Sequence, residues 1–419
     1  MQLTLRQQLT QFAHILQSQL LPALEQATGE LDATGRRLVA VLEMIPLGRF
    51  IPASRGWIGR PSKDRLAIAC AFVAKAVYGF SLTRPLLDRL HQDQQLRRIC
   101  GWEHAHQLPH ESTFSRAFAE FAQMELPQFV HQALIASTQK DRLIGHISRD
   151  STAIEARERF PQPIAQSPAK HKADGRRKEQ RKRKRQQKRG LGLAPAIPPP
   201  APMRRKPPRG PHAPDPGGKR AARLHTDTRL HLQRRMTLPE MLADLPRHCS
   251  LGVKTKDGGN QQYWRGYKLH LDVADGQIPI SAILTAASLH DSQVAIPLAT
   301  MTAQRVTSLY DVMDSAYDAG EIYEHSRSLG HVPIIKPVRR RHKEIPFSGR
   351  EKCEAREMTW AEQNRFRERT TVERVYARLK DEFGGRQIRV RGAKKIMAHL
   401  MFGVLALTAD QWLRLAHPT

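Results

Sequence analysis

Four residues late in the chain combine chemical type with helical spacing: Phe366, Arg369, Glu373 and Lys380, inside FRERTTVERVYARLKDEF. Residues 359–383 contain neither Pro nor Gly, which predicts a helix. At about 100° per residue, Arg369, Glu373 and Lys380 fall roughly 60°, 20° and 40° to one side of Phe366, on one narrow face. Val372, Val375 and Leu379 fall on another, giving an apolar stripe to pack on a core. A carboxylate flanked by two cations suits a site that holds a metal ion together with a phosphate backbone.

One carboxylate cannot hold two divalent ions, so this face needs partners. In LIGHISRDSTAIEA, the alternating segment 143–154 reads as a strand with Asp150 in its middle. In VTSLYDVMDSAYDAG, a strand-like run over 306–313 ends at Asp314, and a helix-like stretch follows from Asp318, placed as its N-cap. A carboxylate at a strand centre, another at a strand end and a Glu on a helix can meet only in a folded α/β unit. Hard cations such as Mg²⁺ take oxygen ligands and keep several waters, so three carboxylates are enough for an open site.

The order Asp150, then DSAYDA with Asp314, then the Arg–Glu–Lys helix resembles the DDE transposases of bacterial insertion sequences. More narrowly, it resembles the group whose third motif is Tyr-x2-Arg-x3-Glu-x6-Lys. WRGYKLHLDVADGQIPISAILTAASLHDS, at 264–292, is similar to that family's central hairpin, and His290-Asp291 to a recurrent family element expected to make a supporting structural contact. The likeness covers roughly residues 140–165 and 255–410. It implies an RNase H-like mixed sheet, with Asp150, Asp314 and Glu373 as ligands of two Mg²⁺ ions, or Mn²⁺ in their place. It also implies a homodimer that holds terminal inverted repeats and target DNA, with Arg369 and Lys380 on the DNA backbone beside Glu373. The family's Tyr is Phe366 here, so any role of that hydroxyl is absent or supplied elsewhere; the retained ring favours packing or stacking.

Composition points the same way. The 419-residue chain carries a net charge of +28, which calls for a polyanionic partner. Residues 170–235 hold 22 Lys and Arg against 4 Asp and Glu, yet the rest of the chain keeps an excess of +10. Double-stranded DNA is therefore the expected partner with or without that tract. Four widely spaced cysteines with no CxxC pair exclude a disulfide framework and a zinc site, and fit reduced cytosolic thiols. The start of the chain has no cleavage site, and the apolar stretches 66–80 and 396–407 are too short to span a bilayer. The expectation is a cytoplasmic, nucleoid-associated bacterial protein without a membrane partner, the last of these stretches being a buried helix.

Periodicity divides the chain. Residues 1–140 read as an all-helical domain for DNA-end recognition, with Ser112–Phe121 as a candidate reading helix capped by Glu111 or Ser112 and preceded by Thr83–His91. Residues 141–165 and 236–392 read as the α/β catalytic domain, and 393–419 as a helix packed on it. Between them, 166–235 is a Lys/Arg-rich run followed by ten prolines from Pro195 to Pro216, a disordered insert able to hold phosphates without sequence preference. Within the catalytic part, strands are expected at 263–273, 278–287, 306–313 and 331–337, with a turn at Asp275-Gly276. A basic loop follows the last strand, and Arg339, Arg340 and Arg341 in it are candidates for phosphate contacts. Two other readings stay open: an RNase H-like nuclease or resolvase, and an inactive DNA-binding derivative of a transposase.

Overall fold

The strand expected around Asp150 is β1, Leu143–Glu155, in a computed structural model that describes residues 7, 11–12, 14–51, 63–139, 142–158, 228–255, 260–337 and 358–416. β1 lies at the middle of a six-stranded mixed sheet. On one side it pairs antiparallel with β3, Gln261–Ala274, placing Asp150 opposite Leu271. On the other it pairs parallel with β5, Thr307–Met313, which in turn pairs parallel with β6, Val332–Ile335. The first part of β3 pairs with β2, Ser250–Thr255, and the remainder with β4, Ile278–Ala286. The expected α/β class with a mixed sheet is what the chain adopts.

Local chemistry explains the joints. Gly276 and Gln277 both have positive φ, 75° and 63°, in the three-residue turn 275–277 that joins β3 to β4. Asp275 fixes this turn to β1 by accepting from Arg142 at 2.7 Å and from the Gly145 amide at 3.1 Å. Gly266 in β3 has φ +152°, and a Cβ there would lie 2.0 Å from the Ile154 carbonyl oxygen, so the close approach of β3 to β1 requires glycine.

The described residues between 21 and 139 carry helices and no strand: α1 (Leu21–Thr28), α2 (Ala33–Met44), α3 (Arg65–Val77), α4 (Thr83–Gln92), α5 (Gln94–Ile99), α6 (Glu111–Gln123) and α7 (Leu126–Gln139). The candidate reading helix is α6. Its cap is His110, whose Nδ1 accepts from the Ser112 amide at 3.2 Å, in place of the Glu111 or Ser112 expected. Ser115 and Arg116 are exposed while Phe114, Phe118 and Phe121 are buried, as the spacing predicted.

Four differences from the sequence reading have identifiable causes. Residues 228–235, assigned to the insert, carry α8 (Arg229–Gln233): Thr228 caps it, and the buried Gln233 donates to the Gln293 carbonyl at 2.9 Å. A further helix, α9 (Leu238–Asp244), follows and begins with a Thr237/Glu240 capping box, a signal present in the sequence. The remaining helices on the sheet are α10 (Ser292–Ala303) and α11 (Gly320–Ser328), the latter with Ala319, and not Asp318, at its N-cap position. The helix expected over 359–383 is broken into α12 (Trp360–Phe366), a 3₁₀ turn over Arg367–Arg369 and α13 (Thr370–Asp381). Ser148 Oγ, projecting from β1, lies 3.0 Å from the carbonyl oxygens of both Glu368 and Arg369 and takes them up where the α-helical ladder is interrupted.

The stretch expected as a short buried helix is α14, Ala393–Ala416, 24 residues long. It is long and apolar enough to cross a membrane, but 83% of its apolar window is buried inside the protein. Phe402 from α14 meets Phe72 of α3 and Phe118 of α6, with ring centroids 5.7 and 6.4 Å apart. One hydrophobic core thus joins the N-terminal helices, α13, α14 and the sheet. Cys70, Cys100 and Cys249 are free thiols. Most of the basic insert and Arg339, Arg340 and Arg341 lie outside the described residues.

Candidate active site

Side chains alternate across a strand, so Arg149 and Asp150 face opposite sides of the sheet. On Asp150's side, its carboxylate accepts from the Ser151 amide at 2.7 Å. Burial pushes its pKa up to about 7; the Ser151 amide opposes this, Asp314 and Asp291 add to it, and Arg369 works against it. Asp314 follows the end of β5 and caps the 3₁₀ turn Ser315–Tyr317 by accepting from the Ala316 amide at 2.9 Å. Its pKa is also raised, first by burial and then by Asp291, against the Ala316 amide and Arg369. Parallel pairing of β1 with β5 therefore brings together the two aspartates that lie 164 positions apart in the chain.

Asp291, read from sequence as a supporting contact, is the third acidic group acting on both of them. It accepts from Lys268 Nζ at 2.8 Å, and the same ammonium donates to the Leu289 carbonyl at 2.9 Å. Burial resists ionisation of Asp291, but His270, Lys268 and the Ser151 hydroxyl together hold its pKa below the ordinary value. The supporting role is thus present, and it is electrostatic as well as structural.

Glu373 lies in the first turn of α13 with a half-exposed side chain, paired to Arg369 Nη1 at 2.6 Å. Arg369 stands between the groups, bonded to Glu373 while lowering the pKa of Asp150 and Asp314. Its guanidinium also lies 5.8 Å from the centre of the Phe366 ring. Lys380 donates to Thr152 Oγ1 at 2.6 Å, and burial followed by Arg386 and Lys254 lowers its pKa. Among the described residues, no three His, Cys, Asp or Glu side chains stand close enough together to hold a metal ion. The carboxylates nonetheless suit one: Asp150 and Asp314 are drawn from water beside a third acid, with Arg369 as the cation that reaches both.

Tyr376 had no assigned task in the sequence. Its buried hydroxyl donates to the Asp150 carbonyl at 2.6 Å and accepts from the Leu271 amide at 3.0 Å, with the Leu269 carbonyl a second acceptor at 3.0 Å. The signal that could have found it is its position three residues after Glu373, close to one helical turn.

Beneath the sheet, Arg149 forms a two-pronged pair with Asp272, both contacts at 2.7 Å, and lies 3.8 Å from Asp311. Thr302 donates to Asp272 at 2.7 Å, while Ser326 and His331 hold Asp311. Burial opposes the charge on Arg149, but Asp272 and Asp311 raise its pKa above the ordinary value.

Two family models match this chain. Residues 240–409 match the transposase DDE domain, and residues 27–120 match a transposase domain, DUF772. The first contains Asp314 and Glu373, whereas Asp150 lies between the two matched segments. No curated protein and no solved structure matches the chain. The two matched domains together cover more than half of the sequence, and with a mixed sheet that carries paired aspartates beside a Glu-bearing helix, the chain belongs to the DDE transposases.

Proposed function

We propose that this transposase cleaves DNA strands at the ends of an insertion sequence and joins them to target DNA, with Asp150, Asp314 and Glu373 as the ligands of two divalent metal ions. Mg²⁺ is the expected ion and Mn²⁺ its substitute. The observation that carries the reading is the juxtaposition of Asp150 in β1 with Asp314, which follows the end of the adjacent parallel strand β5, both with raised pKa values. A half-buried carboxylate pair that is short of positive charge gains from a divalent cation. Once bound, such ions lower the pKa of an attacking water or hydroxyl and stabilise the leaving oxygen of an in-line displacement.

The chain's own residues do the positioning. Glu373 leaves Arg369 to complete the ligand set, and Arg369 is then free to hold a backbone phosphate through its planar fork. Lys380, anchored on Thr152 along β1, places a second cation further along the same face. Phe366 stacks beside Arg369 and limits where that guanidinium can go. The order of strands supports an RNase H-like sheet as the scaffold.

The wider assignment follows. Residues 1–140 recognise the terminal inverted repeats, 141–165 with 228–392 carry catalysis, 166–227 form the basic insert and 393–419 the packed helix. Arg339, Arg340 and Arg341 add phosphate contacts. The working form is a homodimer on double-stranded DNA in the bacterial cytoplasm. Asp150→Ala tests the core of this reading: cleavage and joining of a labelled end should vanish while DNA affinity stays nearly unchanged. Retained cleavage, or loss of DNA binding in a folded variant, would remove Asp150 from the role.

A further inference from the structure

Hydrogen bonds at three positions of β1 dock α13 and the turn before it, and they fall on alternate residues of that strand. Ser148 Oγ reaches the carbonyls of Glu368 and Arg369 at 3.0 Å, Tyr376 reaches the Asp150 carbonyl at 2.6 Å, and Lys380 reaches Thr152 Oγ1 at 2.6 Å. Positions 148, 150 and 152 of a strand share one face, so this face is the track on which the helix sits. The middle bond differs from its neighbours because it engages the main chain of Asp150 itself. The same hydroxyl accepts the Leu271 amide, and Leu271 is the residue paired with Asp150 across β3. Tyr376 therefore links the sheet, at the register position of one acidic residue, to the helix that carries another three residues earlier.

We infer that Tyr376 is a positioning residue of the metal site, and that its hydroxyl sets how far along β1, and at what rotation, α13 presents Glu373 to Asp150 and Asp314. This rests on the reading of those three residues as metal ligands. The ring is packed in the core and 5% exposed, so it holds the helix against the sheet with or without the hydroxyl. The hydroxyl supplies what packing cannot: directional bonds that tell one position of the helix from another a few tenths of an ångström away. Tyr376 thus offers a hydroxyl function to the site from the far side of Glu373, in a chain where position 366 is Phe.

The test is Tyr376→Phe, which removes one oxygen and keeps the ring. Mn²⁺ binding is followed by calorimetry on the full-length protein without DNA, alongside thermal melting, DNA affinity, and cleavage of an end-containing duplex over a Mn²⁺ series. Loss of a group that orients a metal ligand weakens metal binding by roughly 10- to 100-fold. The expected result is a Mn²⁺ dissociation constant raised at least tenfold, a matching shift in the Mn²⁺ needed for half-maximal cleavage, and unchanged DNA affinity. A lowered melting temperature with an unaltered Mn²⁺ isotherm and metal dependence would reduce Tyr376 to packing and overturn the inference. Asp150→Asn and Glu373→Gln are titrated in parallel. If they lose Mn²⁺ binding while Tyr376→Phe keeps it, the positioning role alone fails. If they bind Mn²⁺ like the unsubstituted protein, the metal-site reading fails, and this inference with it.

Discussion

The buried ion cluster under the candidate active site makes a stability prediction that can be worked through. In Arg149→Met, a hydrophobic chain of similar length replaces the guanidinium, whose side chain is 2% exposed, leaving Asp272, at 0%, without its two bonds at 2.7 Å. Breaking a buried pair from one side costs about 3–5 kcal/mol, because the surviving charge stays buried. Thr302 still donates to Asp272, and Asp311 keeps Ser326 and His331, so the expected loss is near the middle, about 4 kcal/mol. Removing both partners in Arg149→Met/Asp272→Leu leaves no orphan at Asp272 and should recover ~2 kcal/mol of that loss. The sign with pH is fixed as well. Burial already favours the protonated form of Asp272, and without Arg149 its folded-state pKa rises further above the unfolded value. Stability of the single variant then falls as pH rises from that unfolded value through the raised one, so its deficit should be larger at pH 8 than at pH 5. Urea unfolding at both pH values, with slopes compared, measures each quantity. A single-variant loss below about 1 kcal/mol, or a double variant as costly as the two singles added together, would refute the reasoning.

Lys75 is 6% exposed and its pKa is lowered by burial to about 8, so the folded state carries a penalty while the amine is charged. Lys75→Met should stabilise by about 2–3 kcal/mol at pH 7, and the advantage should fade between pH 8 and 10.5 as the unsubstituted protein gains stability; urea midpoints at pH 7 and 10 decide it. Asp150→Asn removes one charge from the crowded acidic group, so without metal its melting temperature should rise by a few degrees, on the order of 2 kcal/mol, while the rise that Mn²⁺ gives the unsubstituted protein disappears. Gly266→Ala drives a methyl to 2.0 Å from the Ile154 carbonyl and should cost more than about 3 kcal/mol, or prevent soluble expression, in a parallel comparison with the neutral substitution Ser115→Ala.

What the sequence made legible was local. Asp150 at a strand centre, Asp314 at a strand end and the Asp275-Gly276 turn follow from alternation and turn chemistry, and each stands where those rules place it. The break at Arg367–Arg369 was invisible, because its cause is a Ser148 hydroxyl 220 residues away in the chain. Asp291 is read from sequence only as part of a family element that makes a supporting contact, since nothing nearby in sequence reveals that Lys268 bonds to it or that it acts on Asp150 and Asp314 from other elements. Arg149 stood next to Asp150 without attracting notice: a charge inside an apolar strand becomes intelligible only when Asp272 and Asp311 from neighbouring strands are seen beside it. The Thr237/Glu240 capping box, by contrast, is readable in the sequence, just beyond the segment assigned to the insert by its proline and charge content.

The central place of α14 has a consequence for biosynthesis. During translation this helix emerges after every other described element, yet Phe402 completes a cluster that includes Phe72 and Phe118 from the first third of the chain. Until it arrives, Phe72 and Phe118, packed on each other and on neighbouring rings of the early helices, lack part of their cover and present a sticky surface to chaperones and proteases. A message cut short before α14 should therefore yield a fragment that is cleared. The fold thus makes ribosomal completion a checkpoint on which polypeptides persist.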